Sequence, residues 1–450
     1  MGPMDRSEVL KLLAERAASE RPRVAIETHG CKLNQADSGV LGRQLVDAGF
    51  RVVSTGEPAD VYIVNSCTVT HVADRKARHA LRSARRRNPE ATIVATGCYA
   101  QRSPDELEGL ECADIVAGNT DKATLVQSLV AWKGEPLVPC AVGDDGQAVS
   151  PAMLRTRAMV KIQEGCDQVC AYCIVPRVRG RERSVPPDEI VGEIDRYVAL
   201  GYKEAVLTGT QLGSYGFDLP NLTLTGLLQR VLAETEIVRL RVSSLQAQEL
   251  DEDLLGVWGD RRLCPHFHIP LQSGSDAVLR RMRRRYTAGR YSDAVKLVRE
   301  TVPAASITTD VIAGFPGETA ADFQATYEVC ERVGFARMHV FPYSTRPGTS
   351  AAYFEGQVLA EDRSERAREL LALAERGAAR FRRRQIGDVR PVLWETTTLA
   401  DSRELWSGLT DNYIRVTGES PRPLFNTITP ARLVSQRGDG VYAELLRPPL

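Results

Sequence analysis

Cys31, Cys67 and Cys98 each follow a short apolar run that ends in a polar corner: PRVAIETHGC, ADVYIVNSC and ATIVATGC. Such a phrase reads as a strand, its mouth and a thiol. Neighbouring strands of a sheet lie about 4.8 Å apart. Open parallel sheets bind ligands outside the carboxyl ends of their strands. Three adjacent strands of this kind would bring their thiols onto one small object. The helices that follow begin nearby, and their N-termini favour thiolate over thiol. Three thiolates suit a 4Fe-4S cluster that keeps its fourth iron open. Three buried core cysteines are the plainer alternative, since free cysteine is commonly buried.

A second set is local. KIQEGCDQVCAYCIVPRVRGRERS holds Cys166, Cys170 and Cys173, spaced C-x3-C-x2-C, with Tyr172 beside the last. Three thiolates on one loop can hold three irons of a cubane cluster and leave the fourth for a substrate. Tyr172 is positioned in sequence to pack on what binds there. Structural zinc is the competing reading, but it calls for a fourth Cys or His. The six histidines (29, 71, 79, 266, 268 and 339) are all distant in sequence. Cys112, Cys140, Cys264 and Cys330 fit neither set and are assigned to packing.

The elements that must position these thiols fall into three blocks. From Arg23 to Trp132, apolar β-type runs (Val24–Glu27, Val61–Asn65, Ile93–Ala95, Asp114–Ala117) alternate with helical stretches (Asp37–Gly49, Val72–Arg87, Pro104–Leu110). Alternation of that kind predicts a parallel sheet with helices on its faces. KGEPLVPCAVGDDGQAVSPAM then reads as a linker. From Thr156 to Arg384, strands are expected at Met159–Gln163, Ala205–Thr208, Arg239–Ser243, His266–Pro270, Thr308–Ile312 and Arg337–Phe341. Helices such as Pro187–Leu200 and Ser275–Arg285 separate them. Six β/α units over roughly 200 residues suggest a partial barrel, since eight take about 250. A long Glu-, Arg- and Ala-rich helix, Leu359 to Arg384, ends the block. From Gln385 the texture changes to short strands and turns, which predicts a small all-β barrel. The fold class is therefore α/β with a terminal β-domain.

C-x3-C-x-aromatic-C resembles the signature of radical S-adenosylmethionine enzymes. From Arg23 onward the chain resembles the methylthiotransferase family, whose members join an N-terminal cluster domain, a radical barrel and a C-terminal TRAM domain. GCKLNQADS, NSCTVTHVADRKAR and GCYAQRSP look most like the branch acting on threonylcarbamoyladenosine in tRNA. His29 departs from the hydrophobic residue expected there. The resemblance implies an α/β cluster domain at 23–135, a radical-SAM partial barrel at 156–384 and a TRAM-like RNA-binding barrel at 385–450. It implies two 4Fe-4S clusters, S-adenosylmethionine and a low-potential electron donor such as flavodoxin or ferredoxin. In that superfamily the free iron chelates the methionine moiety, and one electron releases a 5′-deoxyadenosyl radical. The implied reaction is methylthiolation of carbon two of N6-threonylcarbamoyladenosine at tRNA position 37, beside the anticodon. A ribosomal-protein aspartate, an isopentenyladenosine, or a turnover-free iron–sulfur RNA sensor stay open as alternatives.

Barrel active sites lie at the carboxyl ends of the strands. Those ends read TGTQLGSYG, SSLQ, LQSGS, AGFPGET and PYSTRPGT. Gly209 and Gly274 would let backbone approach a ligand. The hydroxyls of Thr210, Ser243 and Ser244 are candidate partners for ribose or carboxylate oxygens. Asp310 is either a ligand contact or a polar group satisfied locally.

Formal net charge is zero, so attraction to nucleic acid must come from local patches. RKARHALRSARRR supplies Arg75, Lys76, Arg78, Arg82, Arg85, Arg86 and Arg87. RRMRRRY supplies Arg280, Arg281, Arg283, Arg284 and Arg285. Both are tRNA candidates; a solvated helix face is the alternative. No run approaches the roughly 18 apolar residues of a membrane span. The N-terminus is charged and amphipathic, without a signal-peptide core. The expected location is the cytoplasm, where cysteines serve as metal ligands or catalysts rather than in disulfides.

Overall fold

The computed structural model describes residues 21–133, 156–400 and 403–446. The linker expected after Trp132, with Cys140, falls almost wholly outside them. The chain forms two compact units, Met1–Leu154 with Arg177–Arg179, and Arg155–Pro176 with Gly180–Leu450.

The first unit is built on five parallel strands: β1 (Arg23–Thr28), β2 (Arg51–Val53), β3 (Val61–Ser66), β4 (Thr92–Gly97) and β5 (Ile115–Ala117). Their order is β2-β1-β3-β4-β5. Every residue of β3 and β4 is buried. Such runs are continuously apolar because helices cover both faces. Tyr62, Val64, Ile93 and Ala95 pack with Ala77, Ala80, Leu81 and Ala84 of the helix His71–Arg87. On the opposite face, Val61, Ile63 and Val94 pack with Leu41 and Leu45 of the helix Lys32–Asp47 and Leu125 and Leu129 of Lys122–Lys133. The helix expected from Asp37 begins five residues earlier, at Lys32. Its N-cap is Cys31, whose side chain makes no capping bond, so no Ser, Thr, Asp or Asn marks the start. β2 is three residues long, too short for a periodic signal.

In the second unit, β6 (Arg157–Lys161), β9 (Glu204–Thr208) and β10 (Arg239–Val242) form one parallel sheet. β11 (His266–His268), β12 (Ser306–Ala313) and β13 (Arg337–Pro342) form another. A parallel bridge between Ser244 and His268 joins them in chain order. The six strands so make an open, partial barrel. The strand expected at Met159–Gln163 is split: β7 (Gln163–Glu164) leaves the barrel and pairs antiparallel with β8 (Arg183–Ser184). The helix expected to reach Arg285 ends at Arg281, and Arg283 takes a positive φ of 59°.

The helix Ala360–Arg384 packs Ala367, Leu370 and Leu373 into the barrel core. It leads into a closed five-stranded barrel of β14 (Val389–Ala400), β15 (Arg403–Thr410), β16 (Arg415–Glu419), β17 (Ile428–Arg437) and β18 (Gly440–Leu445). Trp394 and Trp406 fill its core with Val416, Leu433 and Val441. The two barrels are joined by buried polar groups. Arg239 donates to the carbonyls of Leu409 and Thr410 at 3.2 and 3.0 Å. Arg241 lies over the Tyr413 ring, on which His266 stacks. Glu204, with no solvent exposure, pairs with both arginines.

Candidate functional site

The two cysteine triads

Cys31, Cys67 and Cys98 follow β1, β3 and β4, which are three consecutive neighbours in the sheet. The glycines before two of them are dictated by crowding. Gly30 has φ +112°, and a Cβ there would stand 2.4 Å from Cys67 Cβ. Gly97 has φ +96°, and a Cβ there would stand 2.4 Å from the Ser66 carbonyl. Only glycine takes such a backbone without strain.

Two of the thiols converge on one amide. Asn34 Oδ1 lies 3.8 Å from Cys31 Sγ and 3.9 Å from Cys98 Sγ. Asn119 Nδ2 lies 3.6 Å from Cys98 Sγ. Burial pushes the Cys67 thiol up to about 12, and its neighbours Cys31 and Cys98 add to that. Metal coordination deprotonates such a thiol outright.

The second triad lies on the loop between β7 and the short helix Val175–Arg179. Cys173 N donates to the Cys170 carbonyl at 3.1 Å. Burial raises Cys166 to about 11 and Cys173 to about 12, with the other cysteines of the loop contributing. Gly165, φ +75°, lets the Arg181 carbonyl close against the loop, where a Cβ would stand 1.9 Å from it. Tyr172 packs edge-on against Phe315, centroids 6.4 Å apart.

Among the described residues, no three His, Cys, Asp or Glu side chains are set to share a single metal ion. A cubane asks something different, because each thiolate binds its own iron. Cys67 interacts with both Cys31 and Cys98, and the three thiols of the loop interact with one another; two thiol triads of this kind fit that demand better than zinc.

The strand ends of the barrel

Thr210 Oγ1 is buried after β9 and has no hydrogen-bond partner among the described residues, so it is able to bond a polar ligand. Ser243 is buried at the end of β10, and Ser244 bridges toward β11. The close approach at Gly209 is made by Gln163, whose carbonyl would stand 2.9 Å from a Cβ there. Gln163 Oε1 accepts from the backbone N–H of Thr210 and Gln211 at 2.8 and 2.9 Å. Gly274 likewise seats a helix, since a Cβ would stand 2.7 Å from Thr326 Cα. Asp310 pairs with His268 at 3.3 Å.

Sequence reading places Arg284 in a basic surface run, but the structure turns it inward. Its Nη1 lies 3.5 Å from Cys170 Sγ and its Nη2 donates to Gln246 Oε1 at 2.7 Å. Gln246 and Gln211 continue the network to Glu249, whose carboxyl burial raises to about 7. On the helix His71–Arg87, Arg85 pairs with Asp114 and Arg78 with Glu106. Arg75, Lys76, Arg82 and Arg86 are exposed. Arg75, Lys76 and Arg87 line a cavity of about 570 Å³ with His29 and His79.

The buried positions of Cys112, Cys264 and Cys330 are those of packing residues. Asn34, Asn119, Arg179 and Gln163 were not singled out in the sequence. Asn34 alone carried a signal: three residues after Cys31, it shares that residue's helix face.

Relationship to known proteins

A family model described as Uncharacterized protein family UPF0004 matches residues 23–118, and one described as Radical SAM superfamily matches 160–330. The chain is 39% identical over 406 residues to the threonylcarbamoyladenosine tRNA methylthiotransferase MtaB of Aquifex aeolicus, covering 88% of this chain and 97% of that protein. The chain belongs to the radical S-adenosylmethionine methylthiotransferase family. The MtaB of Bacillus subtilis is 36% identical, covering 91% and 93%. The tRNA-2-methylthio-N(6)-dimethylallyladenosine synthase of Dictyoglomus thermophilum is 34% identical, covering 93% and 98%.

Among solved structures, the radical S-adenosylmethionine methyltransferase TsrM of Kitasatospora setae superposes with a TM-score of 0.52 at 16% identity, covering 71% of this chain and 73% of that one. That likeness is one of fold. Membership of the radical SAM family implies a 4Fe-4S cluster and S-adenosylmethionine. No described helix is long and apolar enough to cross a membrane.

Proposed function

We propose that this methylthiotransferase modifies carbon two of N6-threonylcarbamoyladenosine at position 37 of tRNA, within the anticodon stem-loop. The reading is supported most by the convergence of Cys31 and Cys98 on Asn34 at the mouths of adjacent strands. That convergence accounts for a second 4Fe-4S cluster besides the one at Cys166, Cys170 and Cys173. The branch is supported by the MtaB relatives from Aquifex aeolicus and Bacillus subtilis.

When bound, the groups at the loop triad supply a 5′-deoxyadenosyl radical, and the cluster at the strand-mouth triad holds the sulfur to be transferred. The chain's own residues hold and shield these groups. Tyr172 packs beside the loop triad, and Gln163, seated against Gly209, fixes the β9 corner. Thr210, Ser243 and Ser244 offer hydroxyls to the cofactor's ribose and carboxylate oxygens. Arg75, Lys76, Arg82 and Arg86 meet RNA phosphates. Function divides among 23–135 (sulfur), 156–384 (radical) and 385–450 (TRAM-like, RNA). A flavodoxin or ferredoxin in the cytoplasm supplies electrons.

Mass spectrometry of tRNA nucleosides tests the substrate. A deletion strain should lack 2-methylthio-N6-threonylcarbamoyladenosine and regain it with the gene. An unchanged level of that nucleoside, with loss of the dimethylallyl derivative instead, would overturn the branch assignment.

A further inference from the structure

Arg179 is a buried guanidinium with its side chain 3% exposed. By its packing it belongs to the first compact unit. Its Nη2 donates to Asn34 Oδ1 at 2.5 Å and to Asp37 Oδ2 at 3.1 Å. Asn34 Oδ1 is the oxygen that faces Cys31 and Cys98. The same amide donates through Nδ2 to the His29 carbonyl at 2.9 Å, and its backbone carbonyl accepts from Asn65 Nδ2 at 2.9 Å. Asn34 is therefore bound to the chain two residues before Cys31 and two residues before Cys67. Next to Arg179, the Val178 carbonyl accepts from Asn119 Nδ2 at 2.7 Å, the nitrogen that lies 3.6 Å from Cys98 Sγ.

We propose that Arg179 is a positioning residue for the strand-mouth triad, setting both the geometry and the reduction potential of the cluster held there. The inference rests on the two-cluster reading. Thiolates bound to iron cannot donate to Asn34 Oδ1, so that oxygen would face negative charge. The Arg179 N–H satisfies it and keeps the amide from turning. Arg179 also changes the local charge. Lys122, partly exposed, pairs with the same Asp37 oxygen at 2.8 Å, so the buried Arg179 and this lysine share one carboxylate. Net charge and hydrogen bonding near an iron–sulfur cluster move its potential. The positive charge of Arg179 favours the reduced, more negative state. Because Asp37 is already shared, removal of Arg179 leaves no unpaired carboxylate.

The test uses full-length protein with Cys166, Cys170 and Cys173 replaced by Ala, so that only the strand-mouth cluster is read. Arg179→Met and Arg179→Lys are made in that background. Circular dichroism checks folding, and iron content, the EPR spectrum and a redox titration are measured anaerobically. Arg179→Met should move the midpoint to more negative potential and alter the EPR line shape. Arg179→Lys, which keeps the charge but not the fork, should alter the line shape with a smaller shift in midpoint. If Arg179→Met is folded but holds no iron, Arg179→Lys carries the comparison. A parental line shape and midpoint in whichever variant is read overturn the assignment. A parent protein without a cluster overturns the two-cluster reading and this inference with it.

Discussion

Replacing Gly30 by Ala should separate the two triads chemically. The new methyl group would stand 2.4 Å from Cys67 Cβ and 3.2 Å from Cys67 Sγ. Carbon atoms settle at about 3.5–4.0 Å, so Cys67 would have to retreat by about an ångström. A positive φ of +112° adds backbone strain of about 1–3 kcal/mol. Overpacking of this kind costs a further ~1–3 kcal/mol. A stability of about 5–15 kcal/mol is typical of a domain, so the unit should survive while its thiols lose registration. Iron and acid-labile sulfide counts, with a thermal melt as control, provide the assay. The variant should lose about half of its iron relative to the two cubanes expected of the family. It should still cleave S-adenosylmethionine to 5′-deoxyadenosine under dithionite, yet form no methylthiolated nucleoside. A Gly30→Ala protein with full iron and parental transfer activity would refute the proposed crowding of the triad.

Glu204→Ala leaves Arg239 and Arg241 buried without their carboxylate and should cost roughly 3–5 kcal/mol in denaturant unfolding. A destabilisation below about 1 kcal/mol, the level of an exposed ion pair, would show that the ion cluster is dispensable. Burial alone would raise the Glu204 carboxyl, but Arg241 and Arg239 hold it down to about 2. Its contribution is therefore full above the ordinary glutamate range and is lost as pH falls toward 2. Glu204→Gln should flatten the acid limb of stability, and an unchanged limb would contradict this. For Glu249 the sign is reversed: raised by burial to about 7, it should make stability fall as pH rises from about 4.5 to 7. Glu249→Gln should remove that slope from a series of thermal melts. Alanine at Arg75, Lys76, Arg82 or Arg86 should weaken tRNA binding and reduce the slope of log affinity against log salt by about one for each phosphate that is no longer neutralised. A slope unchanged by all four substitutions would remove that helix from the RNA surface.

Much of the sheet and barrel was legible because helix-covered parallel strands carry continuous apolar runs. β1, β3 and β4, and five of the six barrel strands, lie close to where they are predicted, and the sixth, β6, ends at Lys161, two residues short of its expected end. The thiols were legible because strand mouths recur with the same phrase. What escaped detection depends on neighbours distant in sequence. Arg179 meets Asn34 across 145 positions, and no local pattern announces such a pair. Arg284 reads as surface because its neighbours are arginines, whereas the positive φ at Arg283 turns it toward Cys170. Gly209 reads as a ligand glycine, whereas its missing Cβ makes room for Gln163. The early start of the helix at Lys32 was hidden because a cysteine, not a capping residue, precedes it.

Anaerobic iron and sulfide counting on the parent protein beside a Cys31→Ala, Cys67→Ala, Cys98→Ala triple variant tests most directly whether the two triads hold separate clusters. The variant should retain about half the iron and sulfide, with S-adenosylmethionine cleavage intact. Zinc in the parent, or equal iron in the two proteins, would contradict it.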